Sequence, residues 1–179
     1  MQLDRSWITL QRALKIALLK NLFISMDYLF AVDRSLGSLA KWLRILGFDT
    51  AYSPDISSSQ LSELLKDHRI LITRTKKIQK MFASYPQVFI IPDSLFEQLK
   101  QVVAHLGIHP GDIRPFSRCI HCNLPIDEID KKDVYGLVPD YIWETHDDFN
   151  RCRQCHRIYW PGSHTERLSD KIEPIFDSL

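Results

Sequence analysis

The chain has 179 residues, is 45% hydrophobic and carries a net charge of +1 at pH 7. A chain of this length can bury one substantial core or two small ones. Its last third, residues 116–179, is acidic, and no segment is basic enough to indicate nucleic-acid binding by itself. All four cysteines lie between Cys119 and Cys155. Because no convincing secretory signal is present, we expect a cytoplasmic, reducing environment without disulfides.

Residues 5–24 show the pattern of an amphipathic, cationic helix. Their longest uninterrupted apolar run, Ile16 to Leu19, is far too short to span a bilayer, and no signal-peptide cleavage site follows it. This helix could pack on the protein, act as an interfacial or targeting segment, or precede a domain that begins near Met26. We favour the last interpretation, because a strand pattern starts two residues after Met26, and we treat residues 1–26 as an N-terminal extension.

Residues 27–110 alternate between short apolar runs and segments with helical periodicity, which is typical of an α/β fold. Tyr28 to Val32 predicts a buried strand, and the helix that follows it ends at Gly47. Further strands are predicted at 48–52, 70–73 and 88–91, and further helices start near Ser57, Lys76 and Ser94. Such alternation produces a parallel sheet with right-handed crossovers. Residues 107–115, with two Gly and two Pro, predict a linker.

The first polar residues after the four predicted strands are Asp33, Asp55, Thr75 and Asp93. Parallel strands bring these positions to one edge of the sheet, where ligands bind in open α/β folds. Clustered carboxylates usually hold a hard cation such as magnesium or manganese, which can activate water for attack on a phosphodiester. We therefore predict Asp33 as the principal catalytic residue, with Asp55 and Asp93 as secondary ones. The alternative is structural, with Asp33 and Asp93 capping helices and Asp55 making a turn.

Basic residues cluster near the same predicted edge of the sheet. They are Arg34, Lys41 and Arg44 on the polar side of the first helix, and Arg74 and Lys77 after the third strand. A basic rim around an acidic pocket suits a polyanion held by its phosphates, so we predict that these five side chains bind the substrate backbone. The alternative is a solvated helix face that contacts no ligand.

The last third of the chain contains two CxxC motifs, formed by Cys119 with Cys122 and by Cys152 with Cys155, and 29 residues separate them. Two such turns offer four thiolates, the ligand set of a closed tetrahedral zinc site. The spacer is longer than in most zinc ribbons, so one hairpin must be extended. Two disulfides or a redox-active CxxC are the alternatives, and a reducing environment favours structural zinc. A module this small needs its metal to fold.

Several short motifs follow one another along the chain. They are Val32-Asp33-Arg34, Leu36-Gly37, Leu39-Ala40-Lys41-Trp42-Leu43-Arg44, Leu46-Gly47-Phe48-Asp49, Ile72-Thr73-Arg74, Glu97-Gln98-Leu99, Phe116-Ser117-Arg118-Cys119, Cys122-Asn123 and Tyr159-Trp160-Pro161-Gly162-Ser163-His164. Together they resemble the signature of the Mut-seven C-terminal ribonuclease domain family over about residues 28–167. The resemblance implies a PIN-like parallel sheet flanked by helices, then a small zinc ribbon. We place this ribbon at residues 116–167 and treat residues 168–179 as a C-terminal tail. It also implies metal-dependent cleavage of RNA.

The chain departs from this family pattern at two acidic positions. Asp33 and Asp55 match family acids, but Ser58 and Thr75 stand where further acids are typical. Fewer carboxylates should weaken the binding of magnesium or manganese. Two functions follow: a metal-dependent ribonuclease with weakened activity, or a catalytically silent module that binds RNA or protein. RNA is the expected partner, whereas the sequence indicates no particular protein partner or oligomeric state.

Overall fold

A computed structural model describes residues 28–162 and 172–176 of the chain. The predicted N-terminal extension, residues 1–26, and parts of the predicted C-terminal tail lie outside the described residues. None of the helices in the described ranges is long and apolar enough to cross a membrane.

Four parallel strands form the central sheet in the order β2–β1–β3–β4, which confirms the predicted α/β fold. Their bounds are β1 Leu29–Val32, β2 Asp49–Ala51, β3 Ile70–Thr73 and β4 Gln87–Phe89. The second strand is shorter than predicted, because the Phe48 amide donates to the Leu43 carbonyl at the end of the preceding helix. The fourth strand ends before Ile91, whose amide donates to the side chain of Gln101.

Four helices alternate with these strands: α1 Gly37–Ile45, α2 Ser58–Lys66, α3 Lys76–Met81 and α4 Leu95–Leu106. Capping residues determine where α2 and α4 begin. Ser57 and Gln60 form the predicted capping box before α2, and the Ser94 hydroxyl accepts from the Glu97 amide at the start of α4. Gly107 ends α4 in the left-handed conformation, which costs glycine little.

The helices cover both faces of the sheet, so the domain has three layers. On one face, Phe30 and Val32 pack with α1 and α4 in the larger core. On the other face, Ala31 packs with α2 and with Ile78 of α3, as the two-residue period of a strand requires. The helices that follow β1 and β3 therefore lie on opposite faces. This makes the gap between the carboxyl ends of β1 and β3 the topological switch point of the sheet.

The segment after α4 is not the free linker that its glycine and proline content predicted. Ile108 is fully buried in the larger core. The amides of Arg114 and Phe116 donate at 2.9 Å to carbonyls at the C-terminus of α1. These carbonyls would otherwise lack partners, as at any helix end. The segment thus caps the C-terminus of α1 and holds the start of the cysteine-containing module beside this helix.

The cysteine-containing module is built on a second, antiparallel sheet in the order β5–β6–β7. Its strands are β5 Ile126–Ile129, β6 Phe149–Cys152 and β7 Ile158–Tyr159. The connection between β5 and β6 holds a 3₁₀ turn, Lys131–Val134, and helix α5, Asp140–Thr145. The long spacer between the CxxC motifs is therefore an extended hairpin connection, as predicted. Val134, Ile142 and Phe149 form a small core of its own.

Polar side chains join this module to the α/β domain, whose larger apolar core is a separate cluster. The Asn123 side chain accepts from the Thr50 amide and donates to Asp49, both at 2.9 Å. Asp49 also pairs with Arg69 and Arg118, at 2.6 and 3.5 Å. Burial raises the pKa of Asp49, but hydrogen bonds from Arg69 and Asn123 outweigh this effect and hold the pKa below its usual value.

Residues 172–176 are helical, and Ile172 and Ile175 are buried in the larger core of the α/β domain. The predicted tail, residues 168–179, therefore contains a segment that belongs to this domain. Two isoleucines three positions apart carry too little periodicity to reveal the packing from sequence. The α/β domain is thus discontinuous in sequence, with the cysteine-containing module between its two parts.

Candidate functional site

A cleft of about 290 Å³ opens at the switch point between β1 and β3. Its lining comes from the turn after β1, from the turn after β3 together with α3, and from the start of α2. The polar lining residues include Asp33, Arg34, Ser58, Thr75 and Lys77. The cleft thus brings together the principal predicted catalytic residue, two predicted phosphate-binding residues and the two positions where family acids are replaced.

Asp33 is only 2% exposed, and both of its carboxylate oxygens accept hydrogen bonds. One oxygen accepts from the Ser35 amide at 2.8 Å and from the Ser35 hydroxyl. The other accepts from the Thr73 hydroxyl and, at 3.3 Å, from the Arg74 amide. These contacts make Asp33 the N-terminal cap of the 3₁₀ turn Arg34–Leu36, which leads into α1. The structural alternative foreseen for Asp33 is therefore realised.

The environment of Asp33 favours its ionised form. Burial raises the pKa of this carboxyl, but hydrogen bonds from the Ser35 and Thr73 hydroxyls outweigh the effect of burial, so the pKa lies below its usual value. The nearby Thr75 side chain lowers the pKa further. Thr75 therefore favours the charge of Asp33, where an acid at this position would have added a second charge.

The other two predicted catalytic acids lie outside the cleft lining. Asp55 is exposed, and its amide donates to the Ser53 hydroxyl at 3.3 Å, as in the turn foreseen there. The Asp93 side chain is 92% exposed and pairs with Arg74 at 2.6 Å. Because β2 and β4 end earlier than predicted, both acids lie on loops beyond the sheet edge. Among the described residues, the three acids do not form a group close enough to share a metal ion.

Three of the predicted phosphate-binding residues remain accessible at separate places. Arg34 and Lys77 are exposed and line the cleft. Lys41 is exposed as well, but it lines a different groove between α1 and the cysteine-containing module. The guanidinium of Arg74 forms an ion pair with Asp93. The basic rim at the cleft is therefore smaller than predicted.

Arg44 is buried, with 8% of its surface exposed, so its prediction as a residue on the polar side of α1 is wrong. Its guanidinium donates to the carbonyl of Thr50 at 2.9 Å and to the carbonyls of Ile120 and His121 at 2.9 and 3.0 Å. Buried carbonyls need donors, and the five N–H groups of one arginine can serve several of them at once. Arg44 therefore holds the first CxxC turn against α1 and β2.

The donor set of the cleft does not fit a resident magnesium or manganese ion. Such ions take oxygen ligands from carboxylates, carbonyls and water. A carboxylate has about four lone-pair sites, and the Asp33 carboxylate already accepts four hydrogen bonds from Ser35, Thr73 and Arg74. Among the described residues, the cleft lining holds no second acid, while Arg34 and Lys77 add positive charge. This charge balance favours an anionic group over a cation.

The four cysteines come together as the two CxxC motifs predict. Their Sγ atoms all lie within 4.8 Å of one another, and those of Cys119 and Cys155 are 3.7 Å apart. Sulfurs around one tetrahedral zinc, with Zn–S near 2.3 Å, stand about 3.8 Å apart, whereas disulfide sulfurs are bonded at about 2.05 Å. All four cysteines are free, which excludes the disulfide alternative. The cluster could hold a metal ion such as zinc.

The two CxxC motifs end in turns of the same form. The residue after each motif, Asn123 or His156, has a left-handed backbone with φ of 64° or 59°, and its amide donates to the carbonyl of the first cysteine. The Cys122 amide donates to the Cys119 sulfur at 3.2 Å. Burial raises the pKa of Cys119, but hydrogen bonds from the Tyr159 hydroxyl and the Cys122 amide outweigh it and lower the pKa to about 6. This sulfur is therefore prepared to act as a thiolate ligand.

Sequence patterns did not reveal the side chains that hold these sites in place. Thr73 reaches Asp33 from the neighbouring strand, and Asn123 ties the first CxxC turn to β2. Such contacts join residues many positions apart and leave no periodic signal in one sequence. The only sequence hint was the pair of motifs Ile72-Thr73-Arg74 and Cys122-Asn123, which contain both residues.

The protein has two parts. One is a three-layer α/β domain with a polar cleft at its switch point, and the other is an antiparallel module that holds four cysteines. The sequence profile of the family described as "Mut7-C RNAse domain" matches residues 28–172. The chain belongs to this family, which confirms the resemblance seen in its motifs. No curated protein and no solved structure matches the chain. Family membership makes the chain a ribonuclease-like protein.

Proposed function

We propose that this protein binds RNA at the switch-point cleft and that its metal-dependent cleavage activity is close to background. The state of Asp33 carries the proposal, because its lone pairs are engaged and no second carboxylate from the described part of the chain lines the cleft. The ribonuclease-like family supports RNA as the ligand. The exposed side chains of Arg34 and Lys77 support contact with backbone phosphates. This corresponds to the catalytically silent RNA-binding module, the second function that the sequence indicated.

We also propose that the four cysteines bind one structural zinc ion. Four thiolates fill a tetrahedral site and leave no open position for water or substrate. The zinc would therefore contribute to folding of the cysteine-containing module and would take no part in RNA chemistry. Its free thiols suit a reducing compartment such as the cytoplasm.

Fluorescence anisotropy with a single-stranded RNA tests the binding part of this proposal. We expect salt-dependent binding, because phosphate contacts release counterions. Lys77→Glu should weaken binding of every RNA sequence alike and lower the salt slope by about 0.7, the value for one phosphate contact on a single strand. Lys80→Glu is the matched control, since Lys80 is exposed on the same helix and does not line the cleft.

A cleavage assay on the same RNA, with magnesium and with manganese, tests the catalytic part. We expect product formation by the wild-type protein to stay near the metal-free background. A manganese-dependent rate well above background, abolished by Asp33→Asn, would overturn this part of the proposal. Salt-independent RNA binding, or equal losses in Lys77→Glu and Lys80→Glu, would contradict the cleft as the binding site.

A further inference from the structure

A second groove lies between α1 and the cysteine-containing module, and the proposed cleft does not include it. Two adjoining cavities of about 410 and 560 Å³ form this interdomain groove. They share Lys41, Ile120 and Arg157 among their lining residues. Lys41 comes from the exposed side of α1, and Arg157 lies two residues after the second CxxC motif. The groove is therefore built by both parts of the chain.

The interdomain groove continues towards the switch-point cleft. Tyr52, just after β2, lines the groove together with Gly37 at the start of α1. The Tyr52 hydroxyl donates to the Arg34 carbonyl at 3.4 Å, and Arg34 lines the cleft. A Cβ atom on Gly37 would collide with the Tyr52 hydroxyl, so the glycine is what lets the ring lie against α1. Tyr52 thus connects the two sites.

The charged side chains that line the groove, among the described residues, are all basic. Among the described residues that line it, none is Asp or Glu. Local composition does not explain this, because residues 116–162 carry eight acids and six bases. Four of these bases pair with acids, namely Arg118, Lys131, Lys132 and Arg153. The two that form no ion pair within the described residues, Arg151 and Arg157, both line the groove.

Aromatic rings lie beside these cations. Tyr159 and Trp160, both half-buried, line the end of the groove formed by the cysteine-containing module, and Tyr52 lies at the end near the cleft. Unpaired cations and aromatic rings that line the same groove are typical of surfaces that bind single-stranded nucleic acid. The cations contact phosphates, and the rings stack on bases that are free only in unpaired strands.

We propose that the interdomain groove is a binding track for single-stranded RNA, in which Lys41 and Arg157 contact phosphates and the Tyr159–Trp160 end stacks on bases. The inference rests on RNA binding at the switch-point cleft and extends it. A strand held near Arg34 passes Tyr52 and continues along α1 to the cysteine-containing module. The module then contributes directly to RNA binding in addition to its structural metal site.

Two double variants with the same change in charge test this track. Lys41→Gln with Arg157→Gln should weaken binding of a 12-nucleotide single strand about tenfold or more and lower the salt slope by about 1.4, the value for two phosphate contacts. The control, Lys132→Gln with Arg153→Gln, also removes one lysine and one arginine, but from exposed pairs outside the groove. It should leave affinity and slope unchanged.

Cross-linking of the wild-type protein gives a second readout that needs no variant. A 12-nucleotide RNA with 4-thiouridine should cross-link to the peptide that holds Tyr159 and Trp160. If Lys77→Glu weakens RNA binding while the groove variant matches its control, or if cross-links are confined to the cleft-lining segments 33–34, 56–61 and 75–81, the track is overturned and the cleft proposal stands. If the wild-type protein binds no RNA at low salt, both proposals are overturned.

Discussion

At the scale of single residues, the surroundings of Asp33 decide what the cleft can do. The carboxylate is held by hydroxyl and amide donors from the turn after β1 and from the end of β3, so it is a fixed negative charge whose oxygens are engaged. The Thr75 side chain lowers the pKa of Asp33 further. The position where the sequence resemblance led us to expect an acid therefore favours the ionised form of the acid that is present.

Adding acids should create a metal site at this edge of the sheet. We expect Thr75→Asp, and more strongly Thr75→Asp with Ser58→Asp, to raise manganese-dependent RNA cleavage, because added carboxylate oxygens favour manganese and magnesium. Adding Asp33→Asn should abolish the gain. Ser84→Asp, an exposed position outside the cleft lining, controls for added negative charge. Cleavage rate against manganese concentration is the measurement, and flat curves for all variants would show that this edge is no latent metal site.

The depressed pKa of Asp33 predicts a pH-dependent contribution to stability. A carboxyl whose pKa is lower in the folded state stabilises the fold above its unfolded pKa of about 3.9, and this contribution is lost as pH falls through the folded pKa. Asp33→Asn should therefore cost about 1–3 kcal/mol at neutral pH and clearly less near pH 2. Urea unfolding at both pH values measures it, with exposed Asp55→Asn as the control. A loss of stability in Asp33→Asn that is the same at both pH values would contradict the lowered pKa of Asp33.

At the scale of secondary-structure elements, α1 contacts both the larger core and the cysteine-containing module. Its apolar side belongs to the larger core, its exposed Lys41 lines the interdomain groove, and its buried Arg44 holds the first CxxC turn. The guanidinium of Arg44, in the last turn of this helix, is thus one of the contacts that position the cysteine-containing module. This role makes Arg44 a structural residue despite its charge.

Removing the guanidinium of Arg44 should destabilise the fold. We expect Arg44→Met to lower the free energy of unfolding by about 2–4 kcal/mol, because it leaves buried carbonyls without donors. Arg44→Lys should retain only part of this stability, since lysine lacks the planar guanidinium. Lys41→Met, on the exposed face of the same helix, is the control and should change the free energy of unfolding by less than about 0.5 kcal/mol. Urea unfolding in the presence of zinc measures both, and equal values for Arg44→Met and Lys41→Met would refute this role.

Local patterns predicted the elements better than they predicted the contacts between them. Apolar runs and capping residues such as Ser57 identified all four strands and the helices of the parallel sheet, because these signals lie within a few residues of one another. Burial of Arg44 and clustering of Asp33 with Thr73 depend on partners from distant segments. The spread of Asp55 and Asp93 away from Asp33 depends on strand ends that differ from the prediction by one or two residues. Errors of that size move a side chain out of a site.

At the scale of the whole molecule, polar contacts around Asp49 and Arg44 link the small core of the cysteine-containing module to the α/β domain. This arrangement predicts unequal effects of metal loss. The cysteine-containing module should depend on the metal, whereas the α/β domain should keep its core. The link between them should loosen at β2, where the Thr50 amide donates to the Asn123 side chain.

Hydrogen exchange after removal of the metal tests this expectation. Metal analysis should first give one zinc per chain. Chelation, or Cys152→Ser, should strip protection from the amides of β5, β6 and β7, leave those of β1 and β3 protected, and reduce protection at Thr50. Simultaneous loss of protection in both sheets would show a single cooperative unit. Unchanged protection in β5–β7 would show that the module folds without metal.

The return of Ile172 and Ile175 to the larger core has a consequence for synthesis of the protein in the cell. Chains emerge from the ribosome N-terminus first, and domains usually fold as they emerge. Here the core begun by β1 remains incomplete until residue 175 has been made, after the whole cysteine-containing module. The module is therefore free to acquire its metal while the neighbouring core is still open. Contacts between residues so far apart also predict slow closure of the α/β domain.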